Sequence, residues 1–298
     1  MNTASAYLNG EFLPLAQVRI SPLDRGFLFA DGVYEMIPVY HGQPFRLAEH
    51  LRRLANSLAA IHLNSGLERI AWEDLLAELV VRNGGGQLAV YLQVTRGAPE
   101  IRDHNFPLTD TQPTVFAMAT PLKAMPETVY RLGISAITCP DIRWGACHIK
   151  SIALLANVLA RQQAVERGAV DAILVRDGYL TEGSASNVFL VCDGVLLTSL
   201  QDQRILPGIT RELVLELAAA HAIPYEEKDL PVALLATASE VWLTSSTREI
   251  IPVTTVDGRP VGAGVPGPLW QRLMAIYQAY KHAQCPPAAH PHYPRPQP

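Results

Sequence analysis

Four dipeptides constrain how this chain can fold: Asn9-Gly10, His41-Gly42, Asp177-Gly178 and Asp193-Gly194, each set among runs of β-formers. A residue that tolerates a left-handed backbone, followed by glycine, suits a two-residue hairpin turn, whose central positions both take positive φ. The flanking runs include "AYLNGEFLPL", "VYEMIPVYHGQPFRL" and "DAILVRDGYLTEGSASNVFLVCDGVLLTS", so antiparallel strand pairs are expected at both ends of the chain. Helical periodicity lies between them. In "LAEHLRRLANSLAAIHL", Leu47, Leu51, Leu54, Leu58 and Ile61 form one apolar stripe. Further helices are expected in "AWEDLLAELVVRN", "TRELVLELAAAHA" and "PLWQRLMAIYQAYKHA", and further strands in "QLAVYLQVTRG", "RLGISAITC" and "EVWLTSS".

Hairpins mixed with helices predict an α/β fold of mixed, α+β character in two domains. The segment "ATPLKAMPE", bracketed by Pro121 and Pro126, reads as the crossover. The expected division is a small N-terminal α/β domain over 1–119, a linker over 120–125, and a larger C-terminal domain over 126–282. The remainder, 283–298, is proline-dense and is expected to be a disordered tail. A length of 298 residues with 49% hydrophobic side chains supports real cores in two such units.

A net charge of −4 without Lys/Arg runs argues against nucleic acid as a partner. No apolar run approaches the ~20 residues of a bilayer span, and the start lacks the pattern of a signal peptide. Cys139, Cys147, Cys192 and Cys285 are scattered and read as reduced thiols, so a soluble cytoplasmic protein is expected. His282, Cys285, His290 and His292 are nominal metal ligands, but their proline-rich setting predicts no metal site.

Three glycine motifs are set aside. Gly84-Gly85-Gly86 lacks the G-K-[ST] ending of a phosphate loop and reads as a helix stop. Gly262 to Gly267 matches G-x-G-x-x-G, but no βαβ unit follows. "EGSASN" lacks the G-x-S-x-G of a nucleophile elbow.

Lys150 stands before a segment carrying Ile152, Leu154, Leu155, Val158, Leu159 and Val165. Apolar residues around most of a helix predict a buried helix, which would turn the lysine toward a cleft or the sheet. A free lysine amine has a pKa near ~10.4, so nucleophilic use needs desolvation or covalent capture. From the residues alone, a solvated boundary charge is the simpler reading.

Four ordered blocks change that balance: "DIRWGACHIKSIALLANVLARQQA", "TEGSASNVFLV", "ILPGITRE" and "LTSSTREIIPV". Together they resemble the fold-type IV pyridoxal-phosphate enzymes, over about Tyr7 to Gly258. The family holds D-amino-acid, branched-chain and (R)-amine transaminases and aminodeoxychorismate lyase. The resemblance implies a two-domain fold-type IV architecture, pyridoxal 5'-phosphate as cofactor, amino acid and 2-oxo acid substrates, and a homodimer.

It also implies roles. Lys150 matches the Schiff-base lysine and Glu182 the carboxylate paired with the pyridine nitrogen. Gly208, Ile209 and Thr210 open a helix whose free N–H groups favour the cofactor phosphate. An arginine is expected to help; Arg52 and Arg53 both lie off the apolar stripe, and the resemblance selects Arg53. Ser245 and Ser246 match a hydroxyl-bearing phosphate loop, Asn187 and Leu206 line the pocket, and Arg143 contacts the cofactor's phenolic oxygen.

Arg102 and His104 form an R-x-H pair on a loop after a strand, resembling the substrate-carboxylate trap of D-amino-acid transaminases, completed by Tyr34. The reacting bond must stand perpendicular to the cofactor ring with its hydrogen toward the lysine. Fixing the carboxylate's side of the cleft therefore fixes the hand of the substrate, here D. The expectation is amino transfer from a D-amino acid such as D-alanine to 2-oxoglutarate. A branched-chain L-amino-acid or (R)-amine transaminase and aminodeoxychorismate lyase remain alternatives, with a non-catalytic binding protein more distant. Pro38 departs from the strand pattern, and a bulge that reshapes the pocket is expected there.

Overall fold

The structure is a computed structural model describing residues 4–107 and 111–287. Its first unit holds strands β1 (Ser5–Leu8), β2 (Glu11–Pro14), β3 (Gly32–Tyr40), β4 (Gln43–Pro44), β5 (Leu88–Thr95) and β6 (Thr114–Pro121). Helices α1 (Arg25–Phe29), α2 (Leu47–Ala60) and α3 (Arg69–Arg82) accompany them. The strands form one antiparallel sheet in the order β2-β1-β6-β5-β3-β4. Leu51, Leu54 and Leu58 of α2 and Leu75, Leu76 and Leu79 of α3 pack on Val33, Ile37 and Val39 of β3 and their neighbours.

The second unit opens with α4 (Glu127–Leu132), β7 (Ile134–Pro140), α5 (Leu155–Glu166), β8 (Asp171–Arg176) and β9 (Tyr179–Gly183). It continues through β10 (Asn187–Cys192), β11 (Val195–Ser199), α6 (Ile209–Ala220), β12 (Tyr225–Lys228) and β13 (Leu230–Pro231). The remaining elements are β14 (Glu240–Ser245), β15 (Glu249–Val256), β16 (Arg259–Pro260) and α7 (Pro268–Gln284). These ten strands form a second sheet, β12-β11-β10-β14-β15-β7-β8-β9-β13, with β16 on β15. The pairs β7–β8, β7–β15 and β11–β12 are parallel, so the fold is mixed α/β. The sheet curls: Ser199 Oγ on β11 donates to the Leu180 carbonyl on β9 at 3.0 Å.

Both residues of all four expected turns have positive φ, from 47° at Asn9 to 102° at Gly10. A fifth such pair, Asp257-Gly258, joins β15 to β16. Gly84, Gly85 and Gly86 also take positive φ just after α3, as a helix stop requires. At the start of α7 the Leu269 and Trp270 amides donate to the Glu240 carboxylate, both at 2.9 Å, so that helix end is already satisfied from within.

Three expectations need correction. Pro38 causes no bulge: β3 pairs with β5 without a break from Gly32↔Thr95 to Val39↔Leu88. The Pro38 carbonyl faces away from β5, accepting from Phe45 N–H at 2.8 Å. In a strand the nitrogen points to the same side as its own carbonyl, so no β5 ladder bond is lost. Second, the helix after Lys150 is not buried in the single chain. It starts at Leu155 and leaves Leu155 72%, Val158 59%, Leu159 52% and Val165 56% exposed, burying only Ala160 and Ala164 among its residues. All-round apolarity reported an uncovered face rather than an enclosing core. Third, the boundaries shift: β6 runs to Pro121 and α7 to Gln284. Cys285 is buried, and its carbonyl meets His41 Nδ1 at 2.9 Å. The rest of the expected tail, residues 288–298 with His290 and His292, lies outside the described residues.

Among the described residues no helix is long and apolar enough to cross a membrane, and no three His, Cys, Asp or Glu groups cluster as metal ligands. The units share a core, because Tyr40 and Phe45 pack with Leu213, Trp270 and Tyr277. Buried Glu249, at φ 57°, ties them together: it accepts from Tyr40 Oη at 3.0 Å and from Gln278 and Lys281, both at 2.5 Å. Glu249→Ala removes all three bonds, with an expected cost of about 1–3 kcal/mol, read as a lower urea midpoint. An unchanged midpoint would show that this link does not hold the units together.

Candidate active site

A cavity of about 620 Å3 lies between the two units, with Tyr34, Met36 and Arg53 contributed by the first. The second supplies Arg143, Lys150, Glu182, Asn187, Leu206, Gly208, Ile209, Thr210, Ser245 and Ser246.

Lys150 is placed by strand pairing. The segment 150–152 lies along the edge of β3: Tyr34 N–H donates to the Lys150 carbonyl at 2.9 Å, and Ile152 N–H to the Gly32 carbonyl at 3.1 Å. Lys150 N–H donates to Ser57 Oγ of α2 at 3.2 Å. The backbone is thus braced by the first unit, not by α5. Its Nζ lies 4.2 Å from the centre of the Tyr34 ring, an attractive cation–π position.

The alternation of β3 puts Tyr34 and Met36 toward the cavity, while Glu35 faces α2 with Val33 and Ile37. Glu35 is fully buried and receives Arg53 Nε at 2.7 Å, Arg53 Nη2 at 2.8 Å and His50 Nδ1 at 2.8 Å. Burial raises its pKa, but Arg53 and His50 together overcome that and hold the carboxyl well below its usual range. Burial lowers the pKa of His50, so a neutral ring donates its Nδ1–H to the carboxylate. The remaining fork nitrogen, Arg53 Nη1, donates to the Pro207 carbonyl at 2.9 Å, one residue before the Gly208 cap of α6. Arg52 is 58% exposed and pairs with Glu212. Helix geometry left two arginines open; packing turns Arg53 inward.

Glu182, on β9, accepts from the Leu206 amide at 2.9 Å and from Asn187 Nδ2 at 3.2 Å, and it pairs with Arg143. Burial pushes its pKa up, and Arg143 and the Leu206 amide only partly offset this. Arg143 is also held by Asp141, through Nε at 2.9 Å and Nη2 at 2.7 Å. Gly208 approaches Asn187 so closely that an added Cβ would fall 2.0 Å from Asn187 Oδ1. Among the described residues no side chain caps α6. Thr244 Oγ1 and Ser186 Oγ, buried in the cavity lining, have no hydrogen-bond partner among the described residues. An uncapped helix start beside an arginine, orphaned hydroxyls, an amine and a buried carboxylate match the donors and acceptors of pyridoxal phosphate.

Arg102 and His104 are elsewhere. Both are exposed and neither lines this cavity. Their loop is fastened by Arg25, which donates to the carbonyls of Asp103 at 2.5 Å and Asn105 at 3.1 Å. Phe29 lies 4.5 Å from the Arg102 guanidinium and 5.1 Å from the His104 ring, measured to ring centres. Glu35, His50, Ser57 and Asp141, which hold the site residues in place, escaped the sequence reading. Only Glu35 left a signal, an acid on the apolar face of an alternating strand.

Glu35 gives a signed pH prediction. Its folded pKa lies below its unfolded value of about 4.3, so its stabilisation is present above that pH and is lost as pH falls. Glu35→Gln should lower the urea midpoint at neutral pH and flatten its decline between about pH 5 and 3. Parallel declines in both proteins would show that Glu35 is not a source of the acid sensitivity.

Comparison with known proteins adds independent support. The amino-transferase class IV family matches residues 32–256. D-alanine aminotransferase of Bacillus licheniformis is 42% identical over 271 residues, 91% of this chain and 94% of that one. The D-alanine aminotransferase of Staphylococcus aureus (strain COL) is 39% identical over 276 residues, 92% of this chain and 96% of that one. The branched-chain amino acid aminotransferase of T.th., complexed with N-(5'-phosphopyridoxyl)-L-glutamate, superposes with a TM-score of 0.87 at 28% identity, covering 95% and 96% of the chains. Lys150, Glu182 and the start of α6 meet within this shared fold, and the chain belongs to the class IV, fold-type IV aminotransferases, enzymes that depend on pyridoxal phosphate.

Proposed function

We propose that the protein transfers the amino group of a D-amino acid, such as D-alanine, to a 2-oxo acid such as 2-oxoglutarate, giving pyruvate and D-glutamate. The observation that carries this reading is the convergence on one cavity of Lys150, buried Glu182 and the Arg53-backed start of α6. Identity of 42% to a D-alanine aminotransferase favours the D branch over the branched-chain enzymes, whose relative above is 28% identical.

Bound pyridoxal phosphate supplies an electron sink that lets a bond at the amino acid's Cα break. Lys150 Nζ takes the proton from Cα of the donor and returns one to Cα of the product. Glu182 would offer its negative charge to the ring nitrogen, and Asn187 and the Leu206 amide fix the carboxylate's direction. Arg53, held by Glu35, would hold the cofactor phosphate together with the amides of Gly208, Ile209 and Thr210 and the hydroxyls of Ser245 and Ser246. Arg143, paired with Glu182 at the cavity wall, would add a cation beside the bound cofactor. Tyr34 stands over the lysine on the substrate side.

Arg102 and His104 reach a substrate only from a second copy of the chain, since they lie outside their own chain's cavity. The uncovered apolar face of α5, on a helix that borders the cavity, supports a homodimer. Four free cysteines are compatible with a cytoplasmic setting.

Pyruvate formation from D-alanine and from L-alanine, each with 2-oxoglutarate, tests reaction and enantiomer together. Turnover restricted to L-alanine would overturn the D assignment. Lys150→Ala should lose roughly a thousandfold or more in kcat and the borohydride-sensitive visible band; near-normal turnover would refute its role. Arg102→Ala should lose about tenfold to a hundredfold in kcat/KM for carboxylate substrates. Mixed dimers of the Lys150→Ala and Arg102→Ala chains should recover one intact site. Failure of mixed dimers to exceed either parent would place the trap within one chain.

A further inference from the structure

The same cavity has a second cationic end that the amino-transfer chemistry leaves unused. Arg161 of α5 and Arg248, the last residue of the turn between β14 and β15, line it together with Asn157, Gln162 and Ser184. Both arginines converge on Asp171, which is 0% exposed: Arg248 Nη2 lies 2.6 Å and Arg161 Nη1 2.8 Å from the same Oδ2. The other oxygen, Oδ1, is occupied by Ser184 Oγ at 2.5 Å and the Ala172 amide at 2.9 Å. Among the described residues, Asp171 is the only carboxylate in ion-pair contact with either guanidinium.

One negative charge therefore balances two positive ones. The excess is a full cation at the cavity wall, with side chains 22% exposed at Arg248 and 40% at Arg161. Each fork spends one nitrogen on Asp171 and keeps its other N–H groups for a ligand. The buried anchor also fixes Arg248 in advance, which reduces the ordering cost when an anion binds.

The reaction brings three kinds of anion to this cavity. The cofactor phosphate has Arg53 and α6, and the carboxylate next to the reacting carbon has the Arg102–His104 pair. The third is the distal carboxylate of a dicarboxylic substrate. We propose that Arg248, anchored by Asp171 and assisted by Arg161, recognises that distal carboxylate and sets a preference for 2-oxo dicarboxylates and their amino-acid products. The proposal rests on the amino-transfer reading above.

The test compares 2-oxoglutarate with 2-oxobutyrate as acceptors, D-alanine being the donor throughout. Arg248→Met should lower kcat/KM for 2-oxoglutarate by about tenfold to a hundredfold, mainly through KM. The value for 2-oxobutyrate should stay within about twofold. Arg248→Lys should fall between the two proteins, and Arg161→Met should show the same selectivity loss in smaller measure. Equal losses on both acceptors, or no loss on either, would overturn the proposal while leaving amino transfer intact. No turnover of either acceptor by the unaltered enzyme would overturn the amino-transfer reading itself.

Discussion

Strand β3 is the element on which the site depends, because it positions two different parts of the machinery at once. Its free edge at Gly32 and Tyr34 pairs with residues 150–152 and so brings Lys150, which belongs to the second unit, against the first. Its core face carries Glu35, which orients Arg53 toward the start of α6. Its cavity face carries Tyr34, over which the lysine amine rests. A one-residue slip in β3 would exchange the two faces, losing both the arginine's anchor and the lysine's aromatic neighbour. The regular ladder with β5, uninterrupted at Pro38, is what prevents that slip.

Charge within the cavity is organised by pairs in which a buried acid fixes an arginine. Glu35 fixes Arg53, Asp141 fixes Arg143, and Asp171 fixes Arg248. Each acid lies behind the cavity wall and each arginine lines it. Removing such an acid leaves a cation misdirected rather than absent, and the resulting cost falls on binding geometry as well as stability. Asp171 pairs with two arginines that both line the cavity, and its neighbourhood there keeps an unbalanced positive charge.

Much of the fold was legible because its signals are local. Asn9-Gly10, His41-Gly42, Asp177-Gly178 and Asp193-Gly194 specify turns by backbone sterics alone, and all four adopt the left-handed conformations those sterics require. The leucine stripe of α2 needed only helical periodicity. The α5 helix misled for the opposite reason: apolarity says that a surface avoids water, not what covers it, and Leu155 and Val158 remain uncovered in one chain. Lys150, Glu182, Gly208 and Ser245, which line one cavity, were grouped through four ordered blocks, not through spacing chemistry; helical geometry could not tell Arg52 from Arg53, which packing buries.

By itself, then, the sequence determined the hairpins, the helical stripe, the two-unit mixed α/β class and the membership of the chain in one catalytic family, since each depends on local backbone preference or on ordered motifs. Only the tertiary structure decided that Arg53 is turned in by Glu35, that β3 and Ser57 hold the lysine, that Arg102 and His104 stand outside their own cavity, and that Arg248 shares Asp171 with Arg161. Those are pairings between residues far apart in the chain, 93 positions for Lys150 and Ser57. They arise only when distant segments pack together in the folded chain, and no local propensity encodes that distance.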